Sequence, residues 1–109
     1  MAQFDVHRNK GALRESIPFV VLVQSAQFDR YRRRVVVPLV RRSALPGNMP
    51  TVGSRMNPVF QVEDLPVVLH PLDMVSVALD QLGEYVGSLA DQGQAITDAL
   101  DELLTRSWG

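Results

Sequence analysis

The chain has no cysteine. That excludes a disulfide framework, thiolate catalysis and every cysteine-ligated metal site. Its two histidines, His7 and His70, lie far apart in sequence and belong to no metal-spaced cluster such as HExxH. A phosphate-binding glycine loop, a dinucleotide fingerprint and a GxSxG nucleophile elbow are all missing. No apolar run approaches the ~18 residues of a membrane-spanning helix. The opening MAQFDVHRNK lacks the apolar core of a secretory signal. A cytoplasmic location is therefore expected. The nearest approach to an acid–base pair is His70 with Asp73, which would suit a hydrolase only with a nucleophile the sequence does not indicate.

Lysine is nearly absent too, since arginine supplies all but one of the 11 basic residues. The net charge of −1 hides a division. Residues 1–59 carry a net +7 and residues 60–109 a net −8. Either the halves pack together and their fields cancel, or the arginine-rich stretch meets an acidic partner. A pI near 6.0 argues against nonspecific nucleic-acid binding. With 109 residues and an apolar share of 46%, the chain is expected to form one domain, 1–109, around a small core.

The stretch Ile17–Val40 is central. Phe19–Val23 and Val35–Leu39 are runs rich in β-branched residues, separated by polar residues and arginines. Because these runs do not alternate with polar residues, they predict two strands covered on both faces or closed into a small barrel. Antiparallel pairing would project Ser25–Arg34 from one end. Gln3–His7 alternates weakly, as an edge strand would. Pro38 removes a ladder donor and predicts an edge or a bulge. Asn57–Val62, Leu65–Leu69 and Met74–Leu79 read as three further short strands, with turns at Glu63-Asp64 and His70–Asp73. Arg41–Arg55, rich in Pro and Gly, reads as a long loop.

The period then changes. Ile96, Ala99, Leu100, Leu103 and Leu104 fall on one helical face, and Asp98, Asp101 and Glu102 lie on the solvated side. Asp91 is the expected N-cap, with the helix ending near Thr105–Ser107. The sole tryptophan, Trp108, follows the helix. It either folds back onto the core or is displayed to a partner, where a large rigid ring with one donor is effective.

In their order and spacing, several strings resemble the CcdB toxins of type II toxin–antitoxin modules. They are Gln3-Phe4, Phe19-Val20 and Val23-Gln24-Ser25, then Asp29, Arg33-Arg34, Val36 and Pro38-Leu39 in one gapless run. Pro58-Val59, Asp73-Met74, Ser76-Val77, Gly83-Glu84, Val86 and the C-terminal helix follow. The resemblance implies a mostly β fold, a small SH3-like antiparallel barrel with a C-terminal α-helix. It implies a homodimer that is not an enzyme and needs no cofactor. It implies binding to the DNA gyrase A subunit, trapping gyrase on cleaved DNA, and neutralisation by a CcdA-like antitoxin that folds on contact. Trp108 and Gly109 match the family's terminal Trp-Gly, where paired tryptophans stack with a gyrase arginine. Asp101 and Leu104, with Gln27 and Phe28, match further gyrase-binding positions. Met74, Ser76 and Leu104 fall at the dimer interface. The chain departs from the pattern by lacking a final Ile after Gly109. Trp108 also stands three residues beyond the family's position, which a gapless alignment puts on Thr105. Two other functions stay open: an mRNA interferase-like ribonuclease holding RNA on Arg30–Arg34 and Arg41-Arg42, and a non-toxic homologue that only binds an antitoxin.

Overall fold

A computed structural model describes residues 1–45 and 52–105. Seven strands form one antiparallel sheet: β1 Asp5–Asn9, β2 Phe19–Leu22, β3 Arg33–Arg41, β4 Val59–Val62, β5 Leu65–Leu69, β6 Val75–Ala78 and β7 Leu82–Ser88. A single α-helix follows, α1 Gly93–Leu104. The sheet runs β4-β5-β3-β2-β1-β7, with β6 also paired to β3. It curls into a half-barrel, the mostly β fold with a C-terminal helix that the sequence predicts.

The central hairpin forms as expected, with Phe19 opposite Leu39 and Leu22 opposite Val36. All four residues of β2 are buried because both faces are covered. Phe19 and Val21 point into the main core with Val6, Val37, Leu39, Val67, Leu69 and helix residues Ile96 and Ala99. Val20 and Leu22 point the other way, into a smaller cluster with Val36 and Leu82. Successive side chains of a strand face opposite sides, so a strand buried on both reads as a continuous apolar run.

Several expectations need correction. The first strand is not at an edge: β1 pairs with β2 on one side and β7 on the other. Nor does Pro38 mark an edge. The Val23 amide donates to the Val35 carbonyl at 3.4 Å, which turns Pro38 away from β2. On its far side β3 changes partner, from β6 at Arg33–Val36 to β5 at Leu39–Arg41. Pro38 stands in that gap, where a missing amide breaks no ladder. β7 was not predicted; its sequence LGEYVGS holds two glycines and a glutamate, and only Tyr85-Val86 favours a strand. Gly83 is needed there, because a Cβ would come within 2.6 Å of the Arg8 carbonyl oxygen on β1.

The fourth strand starts two residues later than predicted, at Val59. The Glu63-Asp64 turn holds, with both residues at positive φ (51° and 64°), as a tight hairpin turn requires. Asp91 is not the N-cap. The chain enters α1 through a 3-10 turn over Ala90–Gln92, so Gln92 occupies the cap and makes no side-chain capping bond. Gly93 is buried against Phe4; a Cβ on it would sit 2.5 Å from the Phe4 ring. Phe4 itself has φ 72° and is held by Phe4 N donating to Leu22 O and Leu89 N donating to Phe4 O.

Candidate functional site

The stretch leaving β2 is the most heavily tied irregular segment on the described surface. Ser25 caps a 3-10 turn over Ala26–Phe28 through its side-chain oxygen, which accepts from the Gln27 amide. The turn is anchored from below by Arg34. This arginine is 1% exposed and sits two residues before the buried Val36, so strand parity sends it inward. Its guanidinium donates to the Gln24 and Ser25 carbonyl oxygens at 3.0 and 3.1 Å and to the Asp29 carboxylate. Gln24 completes the tie, its Oε1 accepting from the Val35 amide at 3.0 Å. The Asp29–Arg34 pair is therefore no exposed loop contact: one partner is buried, and it fixes the conformation of the turn. Asp29 also accepts from the Met1 ammonium at 3.0 Å. That contact and Arg34 hold the Asp29 carboxyl below the usual carboxylate range.

The arginines of this segment do not act as one row. Arg34 points into the protein, whereas Arg33 points out and donates to Ser76 Oγ at 3.0 Å and to the Ser76 carbonyl. Arg30 and Arg32 are exposed. Phe28 and Tyr31 are exposed as well, with ring centroids 5.9 Å apart. Arg41 reaches back to the Glu15 carbonyl oxygen at 3.0 Å. A phosphate-binding surface spanning Arg30–Arg34 would thus lose one of its cations to the interior.

Of the predicted site residues, Gln27 and Phe28 both lie on the capped turn and face solvent. Leu104 ends α1 and is 64% exposed, unlike its helix partners Ile96 and Ala99, which are fully buried. Asp101 sits one turn earlier, its carbonyl accepting from the Thr105 amide and hydroxyl at 2.9 and 2.8 Å. Trp108 and Gly109 lie outside the described residues, as does 46–51 of the Arg41–Arg55 loop. Met74 is half-buried and packs against the main core, and Ser76 is exposed on β6. Next to them, Leu72 and Val75 are 67% and 48% exposed, an apolar pair the sequence reading did not single out.

His70 does lie by Asp73, with Nδ1 3.2 Å from the carboxylate across the Pro71–Asp73 turn. The atoms are not aligned as a hydrogen bond, and His70 Nδ1 has no other partner among the described residues. Three or more grouped metal-ligating side chains do not occur among the described residues. No helix there is long and apolar enough to cross a membrane. What the geometry offers is a binding surface: a rigid turn carrying exposed aromatic and basic side chains, and a helix end displaying an apolar residue.

No curated protein matches the chain. The family model for CcdB protein matches residues 3–106, nearly the whole length. The chain therefore belongs to the CcdB family, toxins of type II toxin–antitoxin modules.

Proposed function

We propose that this chain is a gyrase-directed toxin that binds the DNA gyrase A subunit as a homodimer, traps gyrase on cleaved DNA and is neutralised by a cognate antitoxin. The observation that carries this reading is the family match over residues 3–106. The exposure of Leu104 and Phe28 is compatible with it, because both side chains are accessible to a partner. In this reading Phe28, Gln27, Asp101, Leu104, Trp108 and Gly109 form the gyrase surface. Met74, Ser76 and Leu104 lie at the dimer interface, beside exposed Leu72 and Val75.

Titration of the purified protein against the gyrase A subunit tests the surface. The wild type should bind at micromolar concentration or tighter. Leu104→Ser should weaken binding at least about tenfold, the scale of losing one buried apolar contact. Its far-UV circular dichroism should stay unchanged, because Leu104 is exposed and lies outside the core. A folded wild type that does not bind gyrase A at micromolar concentration would refute the proposal.

A further inference from the structure

The capped turn carries a second feature that the gyrase reading leaves unused. A groove of about 560 Å³ opens between the turn and the start of β3, lined by Phe28, Arg30, Tyr31, Arg32 and Val35, among others, and bordered by Ser76 of the proposed dimer interface. Its walls are apolar at Phe28, Tyr31 and Val35, and its rim is cationic. Tyr31 is 61% exposed. The side chains of Arg30 and Arg32 have no hydrogen-bond or ion-pair partner among the described residues. The carboxylate of the turn, Asp29, cannot serve them, because it is occupied by Arg34 and the Met1 ammonium. Asp80 shares a shallow depression with Arg32 but forms no ion pair with it. Two arginines of the basic half do meet carboxylates of the acidic half, Arg8 with Glu63 and Glu84, and Arg55 with Asp98 and Glu102. Arg30 and Arg32 thus bring two unpaired cations to one apolar groove.

We infer that this groove docks an acidic segment of a partner polypeptide, with one apolar side chain of the segment seated between Phe28, Tyr31 and Val35 and its flanking carboxylates on Arg30 and Arg32. Three observations select this occupant. The cations stand at the rim of an apolar depression, and carboxylates around one apolar anchor complement that arrangement. The turn is already fixed by Arg34 and Gln24, so docking spends little on ordering the surface. A nucleic acid is disfavoured, because phosphate binding grows with the number of cations engaged, and here Arg34 is buried, out of reach of a phosphate chain. The inference shares Phe28 with the gyrase surface but rests on Arg30, Tyr31 and Arg32, which the gyrase reading does not use.

Fluorescence anisotropy with a labelled synthetic peptide, a leucine flanked by glutamates, tests it on the full chain. Binding should saturate and weaken as salt is added. Arg30→Glu combined with Arg32→Glu should weaken it at least about tenfold, and Arg30→Gln with Arg32→Gln by a smaller factor. Tyr31→Ala should weaken it as well, whereas Arg14→Glu, an exposed arginine outside the groove, should not. Leu104→Ser should leave peptide binding intact, which separates this inference from the gyrase reading. Three results would overturn it: no peptide binding by the folded wild type at millimolar concentration, an equal loss in Arg14→Glu, or tighter binding of single-stranded RNA that the Arg30/Arg32 variants abolish.

Discussion

Arg34 shows what a single residue contributes to this surface. A buried guanidinium is costly unless its donors are satisfied, and here Gln24, Ser25 and Asp29 satisfy them. Arg34→Met would leave two carbonyl groups without their donor. We expect a loss of about 2–4 kcal/mol in urea unfolding and a loosened Ser25–Asp29 turn. The pH dependence follows from Asp29. Its carboxyl is held low in the folded state, first by the Met1 ammonium and then by Arg34. A group with a lowered folded pKa binds its proton more readily when unfolded, so its stabilising effect is complete above the ordinary carboxylate range and fades as pH falls below about 4. Asp29→Asn should flatten that acid limb of the stability profile. The sequence allows an ion pair of Asp29 with Arg33 or Arg34, but neither the choice of Arg34 nor its burial is evident from it. The clue was parity: Arg34 and Val36 are two apart on one strand, and Val36 points inward.

At the scale of elements, α1 is positioned by a close approach rather than by a cap. Alanine at Gly93 would gain up to about 1 kcal/mol of helix propensity, less at a helix start. Against that, its Cβ would overlap the Phe4 ring, an overpacking cost of about 1–3 kcal/mol. The Phe4 backbone is pinned by hydrogen bonds on both sides and its side chain packs against the main core, so it has little freedom to yield. The clash should win, and Gly93→Ala should lower the melting temperature. The strands β2, β3 and β5 and the helix were legible because apolar runs and a 3.6-residue period record burial directly. β7 was not, since only Leu82 and Val86 of its residues pack into the cores and the rest is held by backbone pairing to β1 and the close approach at Gly83. The error at β1 has the same origin: its second partner is β7. The site was legible only in part. Gln27, Phe28 and Leu104 came from the family resemblance, and the groove beside Tyr31 depends on side-chain directions that no period in the sequence encodes.

For the whole molecule, the division of charge in the sequence becomes a set of cross-links. Glu84 and Glu63 clasp Arg8 and raise its pKa, while Asp98 and Glu102 meet Arg55. These pairs are exposed and individually weak, and none of them reaches Arg30 or Arg32 beside the turn. The central claim, that this member of the CcdB family poisons gyrase, is met most directly in a living cell. The measurement is growth of a gyrase-sensitive bacterium on induction of this chain, with Trp108→Ala induced in parallel and a DNA-damage reporter read in both. The account predicts that the wild type stops growth with DNA damage and that Trp108→Ala, expressed to the same level, does not. Growth undisturbed by well-expressed wild-type protein, or arrest without DNA damage, would contradict it.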